Sequence, residues 1–584
     1  MILPPGTEVT ADGTLYVPAQ GSPADLAEIE AIGGQSVLCA LRAAMVRVGP
    51  DTVALEDGDR RRLTYRELVR AAAAMSRVLR RAVPRDAHTV AIMLPSSAAA
   101  AVAYYAVLAA GLRPAMLNFT AGEGTIRHAL TACGASAVLT AERFLEIADL
   151  KPLAESLSYT APVLALEELR GRLRLSDKAF AAAAHPLGLL PRPQPDDTAA
   201  VIFTSGSEGL PKGVVLSHRN LLSNCAQVHR HLPLSVVKVF FNPLPVFHSL
   251  GLGPGMILPL TFGIKLALHP SPLRIKEVTQ RIADTKANVL LTTDTFLRQY
   301  ARVGADGSLS TLQFAVCGAE RVRPETRDLV RSRFGFEVVE GYGVTEASPV
   351  IAVNHPEEVR DGTVGRIVPS LEARLDPVPG LGDGWRLHVR GPNVLKGYLG
   401  DEGELTPPVD GWHDTGDVAA FEDGYLTIRG RLKRFAKIAG EMTSLVTVEN
   451  LAGAAWPDHA HAAAAVAGGR KGDTIVLLTE YSAPSREALQ AELHRKMLPE
   501  RYLPARIYQV EAIPLLGTGK LDTVAATRLA EELVHAEDAG VPRPVPAPPA
   551  TTEGLGAAGL AAPAGEGERC LPVSGSRPST PPAA

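Results

Sequence analysis

A chain of 584 residues has room for two or more domains. Its hydrophobic share of 46% fits a globular protein, and a net charge of -4 argues against nucleic acid as a main partner, because phosphate contacts need clustered cations. The five cysteines (Cys39, Cys133, Cys225, Cys317 and Cys570) are scattered and include no CxxC pair, so neither a zinc site nor a disulfide framework is indicated and a reducing, cytoplasmic setting is expected.

The N-terminus, MILPPGTEVT, has no basic region followed by an apolar core, so no secretory signal is expected. Strand-like apolar runs then alternate with helical patterns. Thr64–Val83 reads as a helix, Thr89–Leu94 and Ala137–Thr140 as strands. Ala200–Phe203, Val239–Asn242, Val289–Thr292 and Phe314–Val316 continue the strands, with helices at His218–His229 and Pro324–Phe334. This alternation predicts an α/β fold of parallel sheets covered by helices.

Two apolar stretches bear on membranes. Ala98–Leu112 has about fifteen residues before Arg113, short of the roughly twenty that a spanning helix needs. Phe240–Ile264 is broken by Pro243, Pro245, Pro254 and Pro259. Both read as buried elements, and at most peripheral membrane contact is expected. After about residue 360 the strands shorten and Gly/Pro turns appear, which suggests a β-rich subdomain. A compact mixed segment follows from Arg434 to about residue 535. The last 44 residues, from Val541, are rich in Pro, Ala, Gly and Ser and are expected to be disordered.

The most telling stretch is AVIFTSGSEGLPKGVVLS, residues 200–217. An apolar strand runs into a loop of Thr204, Ser205, Gly206, Ser207 and Glu208 that ends in Lys212 and Gly213. Hydroxyls and glycines let backbone N–H groups converge on an anion, and the lysine adds a mobile charge, so the loop suits a polyphosphate. It is not a Walker loop, because Lys212 follows Pro211 and precedes Gly213.

Thr204–Gly213 resembles the phosphate loop of the adenylate-forming superfamily of acyl-CoA synthetases, luciferases and nonribosomal adenylation domains. PAMLNFTAG (114–122), GYGVTEASPV (341–350), GRLKRFAKIAGEM (430–442) and IPLLGTGKLD (513–522) follow in family order. Together with the Ser207-Glu208 pair, they are most similar to the acyl–acyl-carrier-protein synthetase domain joined to 2-acylglycerophosphoethanolamine acyltransferase. The resemblance implies a large N-terminal domain over 1–432, with the β-rich subdomain at about 360–432. It also implies a small mobile α+β domain over 433–540, followed by the tail over 541–584.

The resemblance further implies two half-reactions, in which ATP and a carboxylate give acyl-AMP and a thiol then displaces AMP. Thr204, Ser205, Gly206, Ser207 and Lys212 would cradle the phosphates. Tyr342 would offer a flat face to adenine, Thr345 would donate to the α-phosphate, and Glu346 would hold Mg²⁺. Gly318 and Ala319, in Cys317–Glu320, would line the adenine and acyl pocket. Asp417 would accept from the ribose hydroxyls, with Asp414 the competing candidate, and Arg431 would bind the same ribose. Lys433 matches the hinge. Lys520 resembles the mobile lysine that reaches the carboxylate and α-phosphate, and Lys437 the lysine on the opposite face of the same domain. His248 is expected beside the acyl carboxylate.

The acid implied is a fatty acid, and the acceptor the phosphopantetheine thiol of acyl carrier protein acting in trans. CoA is the alternative acceptor. Arg429, Arg431, Lys433, Arg434 and Lys437 concentrate cations that would steer an acidic carrier. A non-thiol adenylating enzyme and an inactive binding homologue are the remaining rivals.

Overall fold

The computed structural model of the chain describes residues 6–205, 211–381, 384–400, 403–438, 441–469, 472–515 and 521–539. The tail expected over 541–584 lies outside the described residues.

Two large sheets form the body of the protein. In the eight-stranded sheet the strands Arg113–Met116, Thr89–Ile92, Ala135–Thr140 and Val163–Ala165 are parallel neighbours, and Thr198–Ser205 runs parallel to Arg113–Met116. The nine-stranded sheet has a parallel centre of Glu337–Gly343, Phe314–Cys317, Val289–Thr292, Val239–Asn242 and Lys265–Leu268. One apolar core takes Ile92, Leu139 and Leu216 from the first sheet and Leu266, Leu291 and Val339 from the second. Helix residues Leu68, Tyr104 and Leu222 belong to the same core. Parallel strands buried on both faces need such helical cover, which explains their unbroken apolar runs.

Local signals set the helices. Tyr65–Ala82 starts at Thr64, whose Oγ1 accepts from the Glu67 N–H while its own N–H donates to Glu67 Oε2 at 2.8 Å. His218–His231 starts the same way, with Ser217 and Asn220 reciprocally bonded. The apolar stretch from Ala98 forms a buried helix, Ala98–Ala109. Among the described residues no single helix is long and apolar enough to cross a membrane.

The smaller sheets differ from the sequence expectation in two respects. Glu372–Pro377, Trp385–Arg390, His413–Glu422 and Tyr425–Arg431 form a six-stranded sheet with Glu8–Val9 and Leu15–Val17 from the far N-terminus. Leu15 and Val17 are buried and Tyr16 is exposed, the alternation of a one-sided strand. Gly397–Leu399 and Leu405–Thr406 instead leave the β-rich stretch and extend the eight-stranded sheet. A 3₁₀ turn, Leu432–Arg434, then leads to a five-stranded sheet with its own apolar clusters around Leu477 and Leu478.

A buried ionic cluster pins the edge of the nine-stranded sheet. Glu56 lies within 2.7 Å of Lys265 Nζ, 2.7 Å of Arg281 Nη2 and 2.9 Å of Arg62 Nε. Burial alone would raise its pKa, but these three cations outweigh burial and lower it to about 2. A carboxylate depressed on folding stabilises the protein above its unfolded value near 4.5, and that contribution is lost as pH falls toward 2. Glu56→Gln should therefore cost about 3–5 kcal/mol at neutral pH, the scale of breaking a buried ion pair. Thermal melts of parent and variant should converge as pH falls from 4.5 toward 2. A constant gap would show that the cluster contributes no titrating stability.

Candidate active site

Several of the sequence-derived residues lie at the carboxyl ends of parallel strands, where open α/β sheets bind ligands. Tyr342 ends the strand Glu337–Gly343, and Thr345 and Glu346 occupy the 3₁₀ turn Thr345–Ala347 just beyond it. Gly318 and Ala319 follow the neighbouring strand Phe314–Cys317, and His248 follows Val239–Asn242 in the same sheet. From the eight-stranded sheet, Phe119 follows Arg113–Met116 and packs edge-on against Phe247 at 4.8 Å and Phe144 at 4.9 Å. Ser96, which the sequence reading did not single out, joins the two sheets. Its hydroxyl donates to Leu244 O at 2.8 Å and accepts from the Val246 N–H at 3.1 Å.

Close approach explains the small residues here. A Cβ on Gly251 would lie 2.1 Å from Pro245 O, and one on Gly343 would lie 2.0 Å from Pro349 O. Gly318 lets Leu250 approach to 3.0 Å from where a Cβ would stand. Ala319 holds a left-handed backbone, φ 68°, unusual for a residue with a side chain. Glu320 accepts from both the N–H and hydroxyl of Thr295, at 3.0 and 2.8 Å, a structural role at a helix start.

The polar groups pair off in three sets. Ser249 Oγ lies 3.1 Å from Thr345 Oγ1. The Tyr398 hydroxyl donates to Glu346 Oε1 at 2.8 Å. The Tyr342 hydroxyl donates to Asp417 Oδ2 at 2.5 Å, and Arg431 Nε pairs with Asp417 Oδ1 at 3.0 Å. Asp417 is buried while Arg431 stays exposed. Burial raises the Asp417 pKa, Arg431 and Tyr342 pull it back, and Glu346 and Asp414 push it further up. Burial and then the Asp417 carboxylate drive the Tyr342 phenol well up, so it remains a donor. The competing carboxylate is committed elsewhere: Asp414 accepts from Arg386 Nε at 3.0 Å and from the Gly416 N–H at 3.0 Å.

The phosphate-loop candidate is flanked by two paired strands. Thr198–Ser205 returns antiparallel as Pro211–Ser217, with Lys212 opposite Thr204. Thr204 is half-buried and Lys212 is exposed. Gly206, Ser207 and Glu208 lie outside the described residues, as does Lys520. Lys437 is exposed on the strand Phe435–Ile438 of the five-stranded sheet, its backbone N–H donating to Asp473 Oδ2 at 2.7 Å.

The cationic cluster expected to steer a carrier is partly consumed. Arg434 is half-buried against Glu449, and its Nη1 donates to Ala463 O at 2.8 Å. Glu449 Oε1 also accepts from the Ala463 N–H at 2.9 Å. Arg434 therefore ties the helix Leu445–Ala455 to the five-stranded sheet, and Arg431 is engaged with Asp417.

Among the described residues no group of three or more His, Cys, Asp or Glu could hold a metal ion. A single half-buried carboxylate, Glu346, fits Mg²⁺, which keeps waters and substrate phosphates as its other ligands.

The AMP-binding enzyme family profile matches residues 42–399. Feruloyl-CoA synthase of Amycolatopsis sp. is 30% identical over 494 residues, covering 81% of this chain and 95% of the relative. Medium-chain fatty-acid–CoA ligase of Escherichia coli (strain K12) is 26% identical over 499 residues, covering 81% and 87%. The solved o-succinylbenzoate CoA synthetase of Bacillus subtilis, in complex with ATP and magnesium ion, superposes with a TM-score of 0.71. Its identity is 20%, and the match covers 83% of this chain and 98% of that one, a likeness of fold. The chain belongs to the AMP-binding enzyme family of adenylate-forming enzymes, as an AMP-forming acid–thiol ligase.

Proposed function

We propose that this protein is an ATP-dependent carboxylic acid–CoA ligase acting on acids with an apolar body. The observation that carries the reading is the Tyr342–Asp417–Arg431 group standing beside Thr345 and Glu346. It offers a ring face and a buried carboxylate for a nucleoside next to hydroxyl and carboxylate groups for its phosphates. The aromatic contacts of Phe119, Phe144 and Phe247 supply an apolar wall near His248, which suits a fatty acid or an aryl acid.

In the first half-reaction a carboxylate oxygen attacks the α-phosphorus and pyrophosphate leaves. Thr345 donates to the α-phosphate oxygen, Asp417 accepts from the ribose hydroxyls, and Arg431 guides the same ribose. Thr204, Ser205, Lys212 and the loop between them hold the departing phosphates. Mg²⁺, held by Glu346, would supply charge neutralisation at the phosphates. Lys520 brings a cation to the reacting oxygens and then withdraws as the 433–540 domain turns about Lys433. In the second half-reaction the thiol sulfur attacks the acyl carbonyl and AMP leaves. Positioning and electrostatics dominate both steps, because an anion must approach a polyanion.

CoA is the acceptor we favour. The relatives compared above are CoA ligases and synthetases by name, and the cations expected to attract a carrier are tied up at Arg431 and Arg434. A supply of ATP and CoA fits the cytoplasmic setting suggested by the cysteines. Incubation of a panel of fatty and aryl acids with ATP and either CoA or holo-carrier protein should give acyl-CoA, AMP and pyrophosphate by mass detection. Preferential loading of the carrier at equal thiol concentration would reverse the acceptor assignment.

A further inference from the structure

The turn carrying Glu346 is held largely by groups outside the adenylation motifs. Asn220 Nδ2 donates to Pro392 O at 2.8 Å and Val394 O at 2.7 Å. Gln227 Nε2 donates to Asn393 Oδ1 at 3.1 Å, and Asn393 Nδ2 donates to Ala347 O at 2.8 Å. The Ser348 hydroxyl donates to Asn393 O at 2.8 Å, and the Leu395 N–H donates to Glu346 O at 2.7 Å. Residues 392–395 are thus stitched on one side to the helix His218–His231 and on the other to the Glu346 turn. All these partners are neutral, so the stitching adds rigidity without adding charge near a phosphate site.

From this segment the strand Gly397–Leu399 begins. Tyr398 stands opposite Val214, two residues beyond Lys212 on the adjacent strand. Its hydroxyl reaches back to Glu346 Oε1. The backbone and the carboxylate of Glu346 are therefore gripped by one short piece of chain, through Leu395 and Tyr398. A free glutamate samples several rotamers, and holding one oxygen removes that freedom before a cation arrives.

We propose that Tyr398 is a positioning residue that fixes the Glu346 carboxylate for magnesium–ATP and ties it to the strand bearing Lys212. This rests on the reading of Glu346 as the magnesium-holding carboxylate. Tyr398 does not touch the substrate; it acts through Glu346.

Tyr398→Phe removes the donor and keeps the ring. The free Mg²⁺ needed for half-maximal acyl-AMP formation should rise about tenfold, the low end for losing a partner of a metal ligand, and activity should recover at saturating Mg²⁺. Mn²⁺ binding to the enzyme–ATP complex, read by electron paramagnetic resonance without turnover, should weaken by a similar factor, while the melting temperature stays put. Glu346→Gln should lower acyl-AMP formation at every Mg²⁺ concentration, and adding Tyr398→Phe to it should cost nothing more. If Glu346→Gln is impaired while Tyr398→Phe keeps parental Mg²⁺ and Mn²⁺ curves, the positioning role is overturned and the reading of Glu346 stands. If Glu346→Gln behaves as the parent, the reading of Glu346 falls and the positioning role falls with it.

Discussion

Lys520→Ala should lower acyl-AMP formation by about 10²–10³-fold, the scale of removing one oriented transition-state donor. The reason lies in the charge balance of the site. An acyl carboxylate must meet a polyphosphate, and Arg431 already holds Asp417 at 3.0 Å. Lys212 is exposed opposite Thr204, which would suit the far phosphates rather than the reacting oxygens. On the proposed mechanism Lys520 would fill the gap, since a compact ammonium on a flexible stem can arrive and leave. Pyrophosphate–ATP exchange measures the loss. Thioester formation from supplied acyl-AMP should be far less affected, and near-parental exchange would remove Lys520 from the first half-reaction.

Asp417→Asn should raise the KM for ATP by about 10²-fold, since charge-assisted hydrogen bonds contribute about 1.5–3 kcal/mol each. The pH dependence has a definite sign. Protonation removes an acceptor, and burial has raised the Asp417 pKa above 3.8, so ATP binding should weaken at a higher pH than an ordinary aspartate would give. Arg431 is the first group opposing that rise, so Arg431→Ala should move the acid limb of the KM profile upward, and Asp417→Asn should abolish it. Folding responds in the opposite sense. A carboxyl whose pKa rises on folding costs stability as pH climbs through its folded value. The variant without ATP should therefore melt above the parent at neutral pH, and a lower melting temperature would contradict this account of the site.

The elements with strong local signals were legible in the sequence. Val239–Asn242, Val289–Thr292 and Pro324–Phe334 have the expected bounds, because continuous apolar runs and a proline at a helix start act within a few residues. Pairing was not legible. Nothing local in Gly397–Leu399 says that it leaves its β-rich neighbours to flank Pro211–Ser217, and nothing in Leu15–Val17 names Glu372–Pro377 as its partner. The motif residues Tyr342, Thr345, Glu346 and Asp417 could be singled out from resemblance, but their mutual geometry could not. Tyr398 was invisible for the same reason, since its meaning depends on a residue 52 positions away. One missed signal was present: Asn220, Asn224 and Gln227 make a polar stripe on an otherwise apolar helix face, and all three are buried. Buried amides need partners, so such a stripe points to backbone held from a distance.

The union of Leu15–Val17 with Glu372–Pro377 imposes an order on biosynthesis. The N-terminal strand leaves the ribosome about 350 residues before its partner, a wait on the order of 20–70 s at ~5–20 residues per second. During that interval the two parallel sheets can close over their shared core while the first 20 residues trail as an unpaired, partly apolar ribbon. Its docking is then a late, long-range closure, which is slow because distant segments must find each other. A nascent chain stalled before residue 372 should resist proteolysis in its centre and be trimmed at its start, whereas one stalled well past residue 431 should be protected at both.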